Sequence, residues 1–304
     1  MVTKARKQRS KFPSRVVRRQ WLEGYLFAAP FIIGFVAFIA FPMLYSIVLA
    51  FQRWDLLSPP RFVGLRNIVR MLSDERAKLS LYNSAYYTIL AVPIQLIISF
   101  TLAMALTQKL KVRDLYRSGF YLPIIVPLVA WSVVWQRVLH PEFGILNEML
   151  GWFGISAKNW LFDPDLTKPA FIFMSFWMIG RQMVIFIAGL GNIPESLLEA
   201  ASIDGAGPFK KLTGVIIPLM TPLIFYNMVV AIINSFQSFI PAKIMTQGGP
   251  ENATLFVVLN IYRNGFEYFN MGYASALAWE FFIIVVIFTV AQFYLSRQWV
   301  YYEA

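Results

Sequence analysis

The residues best placed to do chemistry lie in a polar stretch, 191–217, set between two long apolar segments. Glu199-Ala200-Ala201 is followed by Asp204-Gly205-Ala206, which sets two carboxylates among small side chains. Such acids can meet basic groups or amide donors on another surface, and the small neighbours let that surface approach closely. A second set lies inside the apolar segments: Ser175 and Gln182, and then Asn227, Asn234, Phe236, Gln237 and Ser238. Asn227, Asn234 and Ser238 are spaced by seven and four, which places them on one face of a helix. Polar groups at such depth either line a water-filled path or tie helices together, and both readings stay open. Arg181 and Glu280 are the ionisable residues deepest in apolar sequence, consistent with an internal ion pair or a water-lined path.

Other chemistries are excluded by residue type. There is no cysteine, so disulfides, thiol catalysis and thiolate metal sites are ruled out. The single histidine, His140, precedes Pro141 at the end of an apolar run, which fits an interfacial residue rather than a triad base or metal ligand. No G-x-x-x-x-G-K-[ST] phosphate loop occurs, so nucleotide hydrolysis would need another polypeptide. A membrane enzyme would require a catalytic constellation that the sequence does not offer.

The elements that must position these residues are apolar helices. Of 304 residues, 58% are hydrophobic and 14% charged, against about a quarter charged in ordinary soluble domains. Several apolar runs reach the roughly 20 residues that cross a bilayer as helix. The expected fold class is an all-α integral membrane protein with six transmembrane helices, near 24–51, 84–107, 119–139, 169–190, 218–240 and 273–295. Three regions follow: a basic segment 1–23, a transmembrane domain 24–295, and a tail 296–304. The uncharged run from Gly24 to Phe51 is too long for a signal-peptide core and reads as a retained span.

The formal charge is +11, and its placement sets orientation. Lys4, Arg6, Lys7, Arg9, Lys11, Arg15, Arg18 and Arg19 precede the first span. That cluster fits a cytoplasmic anchor beside anionic lipid headgroups better than a nucleic-acid arm, and no nucleic-acid partner is expected. Both termini are then cytoplasmic, as are 108–118, with Lys109, Lys111, Arg113 and Arg117, and the stretch 191–217. The arginine-rich segment 52–83 falls outside and weakens the bias. Aromatic belts are expected at Trp21 and Tyr25, Trp54, Trp131 and Trp135, and Trp299 and Tyr301. Pro30, Pro42, Pro93, Pro127 and Pro222 are expected to kink their helices.

Within 191–217, Pro194 suits a first helical turn with Glu195 beside it. Gly205 suits the left-handed residue that ends a helix, and Gly207-Pro208 opens the next. The expected product is an exposed helix–turn–helix elbow. Glu199-Ala200-Ala201, Asp204-Gly205-Ala206, Pro218 and Pro222 resemble the EAA loop of permease subunits in ATP-binding-cassette importers, in the maltose and glycerol-3-phosphate branch. Further pieces match in order: Phe62-Val63-Gly64-Leu65-Arg66-Asn67, Leu122-Pro123 with Trp135, Pro141-Glu142-Phe143-Gly144, Ser235-Phe236-Gln237, Gly248 to Thr254, and Gly272 to Ala276. Leu212, Ile217 and Glu280 depart from the family pattern.

The resemblance implies that Glu199, Ala200, Ala201, Asp204, Gly205 and Ala206 form a coupling helix docked on a separate ATPase. It also implies ATP and magnesium on that ATPase and no cofactor in this chain. The partners would be two ATPase subunits, a second homologous permease giving a heterodimer, and an extracytoplasmic solute-binding protein, in a prokaryotic cytoplasmic membrane. Ser175, Gln182, Asn227, Asn234, Phe236, Gln237 and Ser238 would be candidates for a sugar pathway, with Tyr226 and Trp177 as further platforms. A secondary transporter is the competing class, although the inverted repeats it usually shows are not visible.

Overall fold

The computed structural model describes residues 15–108 and 111–301. Lys4, Arg6, Lys7, Arg9 and Lys11 of the basic cluster, Lys109, and the last three residues of the tail lie outside them.

The described residues are mostly helical. Helix α1 (Arg15–Phe35) runs through a π-helical turn, Val36–Ala40, into α2 (Phe41–Ala50). The widened turn has a local cause: Pro42 has no N–H to give to the carbonyl four residues back and its ring crowds that carbonyl. The same arrangement recurs at Leu212–Ile216, just before Pro218. Strands β1 (Gln52–Arg53) and β2 (Arg61–Phe62) then make a short antiparallel pair. Helix α3 (Arg66–Ser73) leads to α4 (Glu75–Thr107), about 50 Å long at 1.5 Å per residue. Helices α5 (Arg113–Ile125), α6 (Leu128–Val138) and α7 (Ile145–Trp152) follow, then α8 (Pro164–Ser175) and α9 (Gly180–Gly191). Next come α10 (Glu195–Ile203), α11 (Pro208–Lys211), α12 (Ile217–Phe236), α13 (Val257–Tyr262) and α14 (Met271–Ser296).

Among the described residues four helices are long and apolar enough to cross a membrane: Val16–Ala50, Glu75–Thr107, Pro208–Phe236 and Met271–Ser296. Two bent pairs raise that to six if each is one crossing. The expected third span breaks at Val126-Pro127, where α5 and α6 meet at 102°, and the expected fourth bends by 46° after Met178. Proline accounts for the first break, since it disfavours helix at the residue before it; Val126 is extended, with ψ 127°. A further correction concerns Trp131 and Trp135. They are buried in the core, Trp135 lying edge-on to Phe173 and Trp177, and form no boundary belt.

Helix α4 is the central post, and it has two distinct ends. Near its start, Asn83 is wholly buried and donates to the carbonyls of Asn252 (2.8 Å) and Leu255 (3.3 Å), while its own carbonyl accepts from Lys168. Ser84 accepts from the Val257 amide, and Ser80 from Asn260. These polar residues tie α4 to α13 and to the loop leading into it, the role that buried amides commonly take in apolar bundles. Asp74 caps α4 through the Arg76 amide and accepts from the Tyr273 hydroxyl at 2.6 Å. Burial pushes the Asp74 carboxyl up, but the Tyr273 hydroxyl, the Arg76 and Ala77 amides and the Arg70 charge outweigh it and hold it below the usual range. At the far end of α4, Ala103 and Leu106 pack on Met183, Phe186 and Met220, with Ile193 and Ile216 against them. The 191–217 stretch therefore sits at one end of α4, and the start of α14 at the other.

Candidate functional site

The elbow forms as its residues require. Helix α10 begins after Pro194, which takes an extended ψ of 128°, and Glu195 occupies the first turn where the helix dipole favours an acid. It ends in a Schellman motif: Ala206 N–H donates to Ala201 O (2.9 Å) and Gly205 N–H to Ser202 O (3.0 Å). Gly205 has φ +77°, the left-handed region that a Cβ penalises. Gly207 then caps the next helix with Pro208 in its first turn, and Lys211 N–H donates to Gly207 O. Lys211 Nζ donates to Ser202 Oγ at 2.6 Å, tying the two arms together.

The elbow is closed by its own hydrogen bonds and uncovered outside. No residue of α10 is buried. Ile203 is 86% exposed and Phe209 74%, and Leu197 is also exposed. Only Leu198 and Ala201 turn partly inward. The side chains of Glu199 and Asp204 are exposed and make no hydrogen bond or ion pair among the described residues. Ala200 and Gly205 are likewise exposed, and Ala206 is half-buried against the turn. The result is a short prong carrying two free acids, three exposed apolar side chains and a small-residue bend.

The polar residues of the bundle are dispersed. Ser175 is buried and donates to Ile172 O at 2.6 Å, a bond within its own helix. Gln182 is half-buried with its carbonyl unpaired, and Asn227, 2% exposed, has an unpaired amide nitrogen. Asn234 and Gln237 are exposed. Helix α12 ends at Phe236, so Ser238 lies past it in a turn and does not continue the face of Asn227 and Asn234. Phe236 is buried against Phe281 and Phe288 and presents no free ring face, whereas Tyr226 and Trp177 are exposed. Arg181 is exposed and Glu280 half-buried, and no ion pair joins them. Of the two expectations for that pair, the internal salt bridge is not formed within this chain.

Sequence reasoning missed the α4 ties, Ser80, Asn83 and Ser84. Their spacing of three and four on one face of an otherwise apolar helix was the available signal. It also missed a cluster of arginines at the other end of α4, because Arg53, Arg66, Arg70 and Arg263 come together only through the fold.

Comparison with known proteins agrees with this architecture. The profile of the family described as binding-protein-dependent transport system inner membrane component matches residues 81–301. A probable ABC transporter permease, YesP of Bacillus subtilis (strain 168), is 39% identical over 296 residues, covering 96% of each chain. The lactose transport system permease LacF of Rhizobium radiobacter is 31% identical over 286 residues, covering 91% of this chain and 95% of that one. Among solved structures, a chain of a bacterial alginate ABC transporter, bound to its alginate pentasaccharide-loaded periplasmic protein, superposes with a TM-score of 0.82 at 22% identity, over 93% of this chain and 96% of that one. With most of its length matched by one family and a relative of near-equal length at this identity, the chain belongs to the inner membrane permease components of binding-protein-dependent ABC transport systems.

Proposed function

We propose that this chain is one of two permease subunits of an ATP-driven importer for a sugar or sugar-like solute. It crosses the cytoplasmic membrane six times, each bent pair counting as one crossing, with both termini and the elbow in the cytoplasm. The observation that carries the reading is the elbow itself: a prong at one end of the bundle, with Glu199 and Asp204 free and Ile203 and Phe209 bare. Charge supports the orientation, since Arg18, Arg19, Lys111, Arg113, Arg117, Lys210 and Lys211 belong to the segments assigned to that side.

In this reading residues 199–206 seat in a cleft of an ATPase subunit that holds ATP and magnesium. Closure of the ATPase pair moves the prong as a body, and α12, continuous with α11 through the π turn, carries the motion into the membrane. Gln182 and Asn227, each with an unpaired buried polar atom, are the pathway candidates best placed to gain a partner when helices rearrange. Relatives named for starch degradation products, arabinooligosaccharides, and trehalose and maltose support an oligosaccharide as cargo.

The test is uptake of labelled oligosaccharide into proteoliposomes holding this chain, the second permease, the ATPase and the binding protein. Uptake is expected to require ATP on the elbow side and to survive collapse of ion gradients. Uptake by this chain driven by an ion gradient without the ATPase would make it a secondary transporter instead.

A further inference from the structure

At the end of α4 remote from the elbow, the β1–β2 turn, α3 and the start of α14 enclose a cavity of about 360 Å³. Its walls are fixed by the backbone. Asn67 donates to the carbonyls of Ala50 (2.9 Å) and Gln52 (2.8 Å), and Met271 N–H donates to Trp54 O (2.9 Å). Arg53, Arg66 and Arg70 line it together with Trp54, Asn270 and Tyr273, and no carboxylate is among the lining residues. The Arg70 guanidinium lies 4.1 Å above the Tyr273 ring, and the nearby acid, Asp74, is already taken by the Tyr273 hydroxyl and the Arg76 amide. The side chains of Arg53 and Arg66 make no hydrogen bond or ion pair among the described residues. A smaller adjoining cavity shares Arg70 and adds Arg76 and Arg263; Arg263 is paired with Glu267, which also binds Lys243.

Arg70 acts on the Asp74 carboxylate, but Arg53 and Arg66 have no acid of their own; gathering the three guanidinium groups opposes itself by like-charge repulsion, and a concave site of one sign concentrates anions. The guanidinium fork matches a carboxylate with two parallel hydrogen bonds. Trp54 offers an aromatic face and Asn270 an amide, the groups that hold a sugar ring and its hydroxyls. The volume is in the range of sites for small ligands, roughly 300–1,000 Å³.

We propose that this cavity receives a carboxylate-bearing sugar residue of the solute, Arg53 and Arg66 holding the carboxylate and Trp54 the ring. This deepens the importer reading and rests on it, because only that reading puts the cavity on the side where solute arrives. Acidic solutes are then preferred over neutral ones at the mouth of the transporter.

The experiment uses the complete transporter in lipid nanodiscs, titrated with a hexuronic acid trimer and with the neutral hexose trimer. Binding is followed by the fluorescence of Trp54, with W54F as the optical blank. The acidic trimer is expected to saturate the signal at a concentration at least tenfold below that of the neutral one. The double variant R53Q/R66Q is expected to weaken the acidic trimer ten- to hundredfold and leave the neutral one unchanged. Equal affinity for the two trimers would overturn the proposal. So would a double variant that binds the acidic trimer normally but loses affinity for the binding protein, which would make the arginines a protein-docking site. ATP-driven uptake is measured in parallel. Import of the acidic trimer, equal in wild type and R53Q/R66Q, would leave the importer reading standing and remove the cavity assignment. Binding of the acidic trimer at Trp54 without ATP-driven uptake of any solute would do the reverse.

Discussion

Glu199→Lys is expected to abolish solute uptake while leaving the chain folded. Within the chain Glu199 is exposed and unpaired, so reversing its charge costs the fold within about 0.5 kcal/mol, as for other surface positions. In the docking proposed for residues 199–206, the same change would set a cation where an acid meets its partner. Truncating one member of a buried charge pair at an interface typically costs about 2–5 kcal/mol, roughly thirty- to several-thousandfold in affinity. Both uptake and copurification of the ATPase should therefore fall by about a hundredfold or more, with the melting temperature of the purified chain unchanged. Gly205→Val is expected to match it by another route. At φ +77° a β-branched side chain is strained, so the Schellman turn reopens and α10 loses its angle to α11. Survival of uptake and of ATPase binding in both variants would remove the coupling role from the elbow.

The second large effect is on folding. In Gly272→Ala the new Cβ would lie 1.8 Å from the Gln52 carbonyl oxygen, 2.9 Å from its carbon and 3.0 Å from the Leu49 oxygen. These are backbone atoms at the corner between α2 and β1, where Asn67 bonds the Ala50 and Gln52 carbonyls, and Met271 bonds Trp54 just beyond β1, so the corner has little freedom to retreat. The start of α14 must move instead, pulling Tyr273 from Asp74 and Trp279 from Ser46. Overpacking typically costs about 1–3 kcal/mol, and a clash with fixed backbone falls at the top of that range or beyond. The expected result is a melting temperature lower by about 5–10 °C in detergent and a reduced yield of monodisperse protein. Gly151→Ala is the control, because its Cβ would meet nothing within 4 Å. Equal stability of the two variants would show that α14 is not held at this corner.

How much of this was legible in the sequence depends on whether the information was local. The elbow was, because Pro194, Gly205 and Gly207-Pro208 each fix their own backbone angles, and each sits where that logic places it. The apolar runs were also legible, but hydropathy records composition and not direction. Pro127 therefore marked a kink in the third span, but nothing in the sequence set its size, a break of 102° between α5 and α6. Helix ends were misjudged where water takes over from lipid. Helix α4 starts at Glu75, well before its apolar stretch, because Asp74 caps it, and α12 stops at Phe236, which removes Ser238 from the expected face. Trp131 and Trp135 were read as boundary residues because tryptophan favours interfaces, whereas tertiary packing against Phe173 and Trp177 placed them in the core. The arginine-lined cavity was beyond reach from sequence, since its walls come from segments some 200 residues apart.

The central claim is that the 199–206 prong seats in a separate nucleotide-hydrolysing subunit on the cytoplasmic side. The chain has no cysteine of its own, so Ile203→Cys reports on that one position. Photocross-linking from this single thiol in the assembled transporter, with a short maleimide–benzophenone that inserts into neighbouring C–H bonds, is expected to yield one product joining the chain to the ATPase, and the thiol should be closed to impermeant reagents added outside intact cells. Labelling from outside, or a thiol that never joins the ATPase under any nucleotide condition, would contradict it.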